Sequence, residues 1–349
     1  MNKNFPNSAL VIVDNKLLLS HTLNFLYKFN FKNIVLVKNK NFKLNLNLLK
    51  KHNFKFIIRN FQTKKFSYKL LGKKYFLDSF GQDFLLLKTS KFVNLNLFGL
   101  YKIFLNNINK LVITAVNKNR SFHNSEIFFI KRKFFLNYDF SFKKIFKNKS
   151  YKINYVNCEY IEAKKKINKI KVDNFFSKIY SKAVILDRDG VININKGYVG
   201  FKKDFKFQKG AIKAIQYLNN NNYNIFVVSN QSGIARGYFL NEDVQKLHKY
   251  MRNILTKNQS FINKIYYSPY HKDGIIKKYT KNSSCRKPGI KLFNILCKEW
   301  GINDKRNIIM IGDQKTDIEF ANKAKIKSAL FKSENLFSFI KKLSLSKKL

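Results

Sequence analysis

The sequence predicts an α/β protein of two domains, and three observations support this fold class. The chain has 349 residues, more than one domain of ordinary size needs. Strand-like and helix-like segments alternate in the second half, as in a parallel sheet with crossover helices. Ten of the 13 glycines follow residue 176, so the halves differ in composition. We therefore expect domains at 1–175 and 176–332, followed by a Lys/Ser-rich tail at 333–349.

The second domain contains five strand-like runs, and helical patterns separate several of them. Residues 210–221 carry apolar side chains at helical spacing, and residues 241–256 begin with an Asn-Glu-Asp capping signal. Ligands of open parallel sheets bind at the carboxyl ends of strands, so chemistry is expected where these runs end. The runs are AVILD from Ala183, NIFVVS from Asn224, NKIYYS from Asn263, NIIMIGD from Asn307 and KSALF from Lys327.

The first domain also begins with a β-α-β pattern. Residues 9–37 read as a strand, a short turn, an amphipathic helix and a second strand. Two further strand-like runs follow, FLLLKTS from Phe84 and KLVITAV from Lys110. These patterns predict a second α/β unit.

Composition excludes several classes of protein. The charge is +49, but 45% hydrophobic residues exclude a disordered basic tail. Three cysteines, Cys158, Cys285 and Cys297, exclude a disulfide scaffold and favour the reducing cytoplasm. Lys and Asn interrupt every apolar run before membrane-spanning length, so no membrane partner is expected.

The positive charge consists almost entirely of lysine. Eight Arg accompany 61 Lys, and the Lys are spread along the chain beside abundant Asn, Ile, Phe and Tyr. These are residues of A/T-rich codons, whereas phosphate-binding surfaces favour the planar fork of Arg. We therefore attribute the charge to codon bias rather than to nucleic-acid binding, and expect it to favour anionic substrates.

Polar motifs follow three of the second-domain runs, and a fourth motif precedes a helix. Asp187 and Asp189 flank Arg188 after the first run, and two carboxylates so close imply a cation between them. The second run ends in Ser229-Asn230-Gln231-Ser232-Gly233, where backbone N–H groups can meet an anion. Arg286-Lys287-Pro288 precedes a helix, and Gly312-Asp313 is followed by Asp317. Taken singly, the first motif could be an ordinary Asp-rich loop, and Ser229 a plain helix N-cap.

Together, these four motifs resemble the haloacid dehalogenase (HAD) phosphatases. LDRDGVININKGYV, VVSNQSGIARGYF, IYYSPYH and CRKPG are similar to the bacterial D-glycero-D-manno-heptose 1,7-bisphosphate 7-phosphatases and related histidinol-phosphatases. The resemblance covers residues 183–331. It implies a Rossmann-like HAD fold with a parallel sheet and a minimal cap.

The resemblance also implies catalytic roles. Asp187 would be the nucleophile, and Asp189 the general acid and base. Ser229 and Lys287 would bind the transferring phosphoryl group, with Asp317 positioning Lys287 or the metal shell. Mg²⁺ would bind to Asp187, the Asp189 main-chain carbonyl and Asp313. Substrate contacts would come from Asn195, Lys196, Gly197, Tyr198, Asn230, Gln231, Ser232, Arg286 and Gln314.

Two departures from the family pattern follow. Gln314 stands where close relatives often carry Lys. Relatives also often hold a structural zinc in the loop at 268–285, through a Cys-x-His and a Cys-x-Cys pair. Here Ser268, Tyr270 and Ser283 occupy three ligand positions, and Cys285 alone is kept, with His271 displaced by one residue. Because structural Zn²⁺ needs four N or S ligands, we predict no zinc.

The first domain resembles the sugar-1-phosphate nucleotidyltransferases. The resemblance rests on the segment PNSALVIVDNKLLLSHTLNFLYKFNFKNIVLV and on YIEAKKKINKI from Tyr160. The glycine-rich phosphate loop of that family is missing here, and Lys88-Thr89 stands where a metal-binding Gly-Asp is expected. We therefore predict a degenerate transferase domain that scaffolds or mediates a homo-oligomer, with an unrelated α/β domain as the alternative.

The resulting functional hypothesis is a cytoplasmic Mg²⁺-dependent phosphatase of a small sugar phosphate. It would remove the 7-phosphate of D-glycero-D-manno-heptose 1,7-bisphosphate through an aspartyl-phosphate, in heptose and lipopolysaccharide precursor synthesis. One alternative is a histidinol-phosphate phosphatase, which shares the four motifs. The other is a basic nucleic-acid-binding or scaffolding protein without catalysis.

Overall fold

The structure is a computed structural model of the full chain. It describes residues 6–45, 47, 54–61, 83–105, 111–118, 121–130, 151–156, 159–163, 167–346 and 349. The chain divides into two compact units, Met1–Val172 and Asp173–Leu349. Of the sequence features above, Cys158, Lys110, the lysines at 164–166 and residues 347–348 lie outside the described residues.

The first unit is built on a mixed sheet. Its described strands lie in the order β3-β2-β1-β4-β7-β6-β8. β1 to β4 run parallel, β7 is antiparallel to β4 and β6, and β6 is parallel to β8. β5 and β9 form a separate antiparallel pair. The elements are β1 (Ser8–Val13), α1 (Lys16–Lys28), β2 (Asn33–Asn39), β3 (Lys55–Phe61), β4 (Phe84–Lys88), β5 (Lys91–Val93), α2 (Leu97–Leu105), β6 (Leu111–Lys118), β7 (Ser121–Ile130), β8 (Tyr151–Val156) and β9 (Tyr160–Glu162).

The β-α-β start predicted for residues 9–37 is confirmed. Every residue of β1, SALVIV, is buried, as expected for a strand with a parallel neighbour on each side. The Asn15 side chain accepts hydrogen bonds from the main-chain N–H groups of Leu17 and Leu18 and so begins α1. The runs starting at Phe84 and Lys110 correspond to β4 and β6.

The second unit is a five-stranded, all-parallel sheet in the order β12-β11-β10-β13-β14. All five strand-like runs of the sequence are strands, and both helical patterns are helices. β10 lies at the centre and pairs with β11 on one side and β13 on the other. The elements are α3 (Lys169–Ser181), β10 (Ala183–Leu186), α4 (Ala211–Asn220), β11 (Asn224–Asn230), α5 (Asn241–Lys257), β12 (Lys264–Ser268), α6 (Lys291–Trp300), β13 (Ile308–Gly312), α7 (Lys315–Ala324), β14 (Lys327–Leu330) and α8 (Leu336–Leu345).

The core of the second unit extends to the end of the chain. Residues 333–349, which composition sets apart as a tail, contribute α8. Leu336 and Ile340 of this helix are fully buried in the same apolar cluster as Leu186 and Val227. The Tyr217 hydroxyl donates a hydrogen bond to Ser344 Oγ at 3.0 Å. The last helix is therefore part of the fold, because its apolar side chains complete the core that supports β10 and β11.

Candidate active site

The polar motifs meet at the carboxyl edge of the second sheet. Asp187 directly follows β10, and its N–H donates to the Ile311 carbonyl of β13. Ser229 lies near the end of β11, and Asp313 follows β13. Because β10 lies between β11 and β13, these groups converge on one edge, as expected.

A buried lysine links two aspartates at this edge. Lys287 Nζ lies 2.9 Å from Asp187 Oδ1 and 2.5 Å from Asp317 Oδ1. All three side chains are almost fully buried. Burial raises the pKa of Asp187 to about 6, although Lys287 opposes the rise. Burial also opposes the charged form of Lys287, but the two carboxylates outweigh it and leave the lysine pKa raised. The site therefore holds a charged lysine against two carboxylates in a region of low dielectric.

The acidic side chains can hold a hard cation. Asp187, Asp313 and Asp317 each offer a carboxylate oxygen, and these oxygens all lie within 4.8 Å of one another. Asp313 Oδ1 is buried and lacks a hydrogen-bond partner among the described residues. Its other oxygen accepts a hydrogen bond from Gln314 Nε2 at 2.9 Å. An all-oxygen donor set with one uncompensated buried oxygen fits Mg²⁺.

The approach of Asp313 depends on Gly190. Gly190 has a φ of +87°, and a Cβ built there would overlap the Asp313 carboxylate. The glycine of the DRDG motif therefore lets a carboxylate from β13 lie against the turn that follows β10.

The Asp189 carboxylate is fixed by three neighbouring side chains. Arg188 Nη2 donates to both of its oxygens, at 2.9 and 2.8 Å. Asn193 Nδ2 donates to Oδ1 at 2.9 Å, and Gln231 Nε2 donates to Oδ2 at 2.7 Å. Gln231 Nε2 also lies 2.8 Å from Ser229 Oγ, so it connects Asp189 to the phosphate-binding serine that the sequence predicts.

Arg188 is a fully buried structural cation. In addition to its ion pair with Asp189, Nη2 donates to the Val199 carbonyl at 2.5 Å, and Nη1 lies 3.2 Å from His248 Nε2. Burial, together with Arg188 and Arg252, holds the pKa of His248 well below its usual range. His248 is therefore neutral and accepts the hydrogen bond. These contacts support a structural role for Arg188.

The Asn230 side chain contacts the main chain of Lys287. Its Oδ1 accepts from the Lys287 main-chain N–H at 2.9 Å, and its Nδ2 donates to the Lys287 carbonyl at 3.1 Å. Both ends of the amide are thus used to hold the lysine backbone. Gln231 Nε2 likewise contacts Asp189 Oδ2 and Ser229 Oγ. In this structure the two side chains therefore hold neighbouring residues of the predicted site, and their substrate contacts stay predictions.

The other residues that we expect to contact substrate are not buried. Asn195, Lys196, Gly197 and Tyr198 form an exposed segment after Asp187 and Asp189, in which Asn195 Oδ1 accepts from the Gly197 N–H. The Tyr198 ring packs edge-on against Tyr238, with centroids 4.6 Å apart. Ser232, Arg286 and Gln314 are not buried either.

Several residues of the site escaped sequence reasoning. Asn193 and His248 act through Asp189 and Arg188, and neither belongs to a strand-end motif. No pattern in the sequence signals His248, because its contact with Arg188 spans 60 positions.

In the first unit, the carboxyl ends of β1 and β4 are closed by internal contacts. Thr89 Oγ1 accepts hydrogen bonds from the main-chain N–H groups of Asp14 and Asn15, both at 2.9 Å. Lys88 Nζ lies 3.3 Å from Asp14 Oδ2. The Lys88-Thr89 pair thus ties two strand ends together where a transferase would present a metal carboxylate.

Comparison with known proteins identifies the family. The HAD-hydrolase-like family matches residues 284–336. The D-glycero-beta-D-manno-heptose-1,7-bisphosphate 7-phosphatase of Rhodopseudomonas palustris is 37% identical over 161 residues, which cover 46% of this chain and 89% of that protein. The chain belongs to the HAD phosphatase family. It is accordingly a phosphatase of the hydrolase class, and the alternative of a binding protein without catalysis is excluded.

Further relatives of this HAD phosphatase carry similar names. A 7-phosphatase for the beta anomer from Helicobacter pylori strain J99 is 36% identical, over 44% of this chain and 85% of that protein. A 7-phosphatase for the alpha anomer from Campylobacter jejuni is 38% identical, over 44% of this chain and 84% of that protein.

Two solved structures are similar to part of this chain. A D,D-heptose 1,7-bisphosphate phosphatase from B. bronchiseptica, complexed with magnesium and phosphate, is 23% identical and covers 47% of this chain and 99% of its own, with a TM-score of 0.42. An inositol-1-phosphate CTP transferase from T. maritima is 12% identical and covers 49% of this chain and 95% of its own, with a TM-score of 0.34.

Within the described part of this HAD phosphatase, no helix combines the length and the apolar character that crossing a bilayer requires.

Proposed function

We propose that this phosphatase removes the 7-phosphate of D-glycero-D-manno-heptose 1,7-bisphosphate in a Mg²⁺-dependent reaction through an aspartyl-phosphate on Asp187. The names of relatives at 36–38% identity support the substrate. The observation that carries the mechanism is the buried contact of Asp187 with Lys287, beside the cation-binding oxygens of Asp313 and Asp317. We place the reaction in the cytoplasm, in heptose and lipopolysaccharide precursor synthesis.

In the first step, a carboxylate oxygen of Asp187 attacks phosphorus. The bond between phosphorus and the sugar oxygen breaks, and the leaving oxygen takes a proton from Asp189. In the second step, Asp189 takes a proton from water, whose oxygen attacks the phosphorus of the aspartyl-phosphate. Inorganic phosphate leaves, and the Asp187 carboxylate is restored. The hydrogen bond from Gln231 to Asp189 keeps this carboxyl group beside the reacting atoms.

The charges of the site suit this displacement. Lys287 neutralises Asp187 and, with Ser229, binds the oxygens of the transferring phosphoryl group. Asp187, Asp313 and the Asp189 main-chain carbonyl, with Asp317 beside them, would hold Mg²⁺, which would supply positive charge that lowers the repulsion between nucleophile and phosphate. Asn230 keeps the Lys287 backbone in place during both steps.

A substrate panel tests the proposed function. With Mg²⁺, we expect phosphate release from the heptose 1,7-bisphosphate at a kcat/KM at least about 100-fold above that for histidinol phosphate, since specificity follows differential transition-state binding. Phosphate release is measured on both anomers of the bisphosphate and on histidinol phosphate, with and without Mg²⁺. A preference for histidinol phosphate, or full activity in the absence of a divalent cation, would contradict the proposal.

For the first unit, we propose a degenerate nucleotidyltransferase domain at residues 1–175 that scaffolds or mediates self-association. The closed strand ends at Asp14, Lys88 and Thr89 support this role. Because the catalytic groups identified above all belong to the second unit, Asp173–Leu349 alone should retain phosphatase activity. The same phosphate-release assay on this fragment measures the outcome. A folded fragment without activity would show that the first unit contributes to catalysis.

A further inference from the structure

The loop after β12 does not offer the ligands of a zinc ion. We call residues 269–285 the β12 loop. At the four positions where relatives hold zinc, the chain has Ser268, Tyr270, Ser283 and Cys285, so only one thiol is present. Ser268 Oγ accepts from the Tyr270 N–H at 3.4 Å, and Ser283 Oγ accepts from the Cys285 N–H at 3.2 Å. The donor set does not fit zinc, and both hydroxyls serve local turns.

The β12 loop closes on itself through its main chain. The His271 N–H donates to the Tyr279 carbonyl at 3.2 Å, and the Lys281 N–H donates to the His271 carbonyl at 3.1 Å. Lys281 Nζ lies 4.5 Å from the centre of the Tyr270 ring. These contacts join the two ends of the loop as a metal would.

The closed loop also docks on the segment that follows β11. The Ala235 carbonyl accepts hydrogen bonds from the Ile275 N–H at 2.8 Å and from the Ile276 N–H at 2.9 Å. Gly274 makes this approach possible. A Cβ at this position would lie 2.8 Å from the Ala235 carbonyl oxygen and 2.9 Å from Thr280 Oγ1. Any larger residue would push the loop away from Ala235.

A second contact reinforces the docking. Arg236 Nη2 lies 3.4 Å from both ring nitrogens of His271, so the guanidinium lies against the imidazole. His271 Nδ1 accepts a hydrogen bond from the Asp273 N–H at 3.1 Å. Burial and the charges of Arg286 and Arg236 lower the pKa of His271, with Asp273 opposing them and Lys272 adding to them. A neutral ring can pack beside the two arginines without repulsion.

The docked loop leads directly to the reaction centre. A cavity of about 460 Å³ is lined by His271, Lys281, Arg286 and Lys287, among others. Arg286 Nη1 and Arg236 Nε are buried and lack hydrogen-bond partners among the described residues. We propose that docking on Ala235 and Arg236, rather than a zinc ion, fixes the β12 loop and thereby positions Arg286 along this cavity. The expected effect of the Arg286 position on the substrate rests on the proposed function.

Glycine 274 provides the first test. The variant Gly274→Ala should raise KM for the heptose bisphosphate about tenfold or more, because small displacements of a positioning group are costly. Hydrolysis of p-nitrophenyl phosphate should keep its kcat, since this small ester needs only the groups around Asp187. Lys277→Ala, which changes an exposed residue of the same loop, is the matched control. It should leave both the KM for the heptose bisphosphate and the kcat for p-nitrophenyl phosphate unchanged. A wild-type KM in a folded Gly274→Ala protein would overturn the proposal.

Arg236→Lys provides a second variant if Gly274→Ala does not fold. It keeps the charge but removes the planar contact with His271, and the same change in KM without a change in kcat is expected.

Zinc itself is measured independently of activity. We expect no stoichiometric zinc in the purified full-length protein, and no shift of its unfolding temperature with a zinc-selective chelator. One zinc per chain, or a lower unfolding temperature with the chelator, would overturn the proposal. If the wild type hydrolyses p-nitrophenyl phosphate but not the bisphosphate, the proposed function is wrong. The zinc content and the unfolding temperature still test whether docking, rather than zinc, fixes the β12 loop.

Discussion

The variant Asp187→Asn is expected to lose turnover by roughly 10⁴-fold or more, as removal of other enzymatic nucleophiles does. The amide cannot attack phosphorus, and it removes one anionic oxygen from the cation-binding cluster with Asp313 and Asp317. The fold should survive because the volume is unchanged and Lys287 keeps Asp317 at 2.5 Å. Phosphate release at saturating Mg²⁺ and thermal unfolding measure the two effects.

Asp304→Asn is the matched control for this variant. Asp304 lies before β13, whereas Asp187 follows the carboxyl end of β10, and Asp304 pairs with its near neighbour Arg306. The same chemical change there should leave kcat unchanged. Asp187→Asn with near-wild-type turnover would remove Asp187 from the mechanism.

The parts of the site that sequence predicted are those carried by strand ends. Asp187, Ser229 and Asp313 each lie at the end of a buried apolar run, and parallel strands bring their carboxyl ends to one edge. The runs placed these residues at strand ends, and the resemblance to the HAD phosphatases indicated which carboxylates would share a cation. The fold of the second unit followed from the same alternation of runs and helices.

Contacts between distant positions could not be predicted in this way. Both partners of the Asn230 amide belong to Lys287, which lies 57 positions away, and periodicity carries no information about such a pairing. The role of Arg188 also depends on Val199 and His248, which only tertiary structure brings together. The same holds for α8, which lies in a segment that we assigned to a tail, although Leu336 and Ile340 are buried.

The variant Lys287→Met is the second one for which we expect a large effect. It should lower both activity and stability. Loss of its charge from the transferring phosphoryl group should reduce kcat by about 10²–10³-fold, the cost of removing one preorganised electrostatic group. Asp187 and Asp317 would also lose the cation that lies 2.9 and 2.5 Å from their oxygens. Removing one partner of a buried pair costs about 3–5 kcal/mol of the free energy of unfolding.

Added Mg²⁺ separates these two effects of Lys287→Met. A cation bound by Asp187 and Asp313, with Asp317 beside them, would replace part of the lost positive charge, so it should recover stability more than activity. Denaturant unfolding with and without Mg²⁺ measures the stability, and kcat measures the activity. Lys291→Met, at the exposed start of α6, is the control and should change neither. If Lys287→Met kept wild-type kcat at saturating Mg²⁺, the lysine would be a structural counter-ion rather than a group that binds the phosphoryl oxygens.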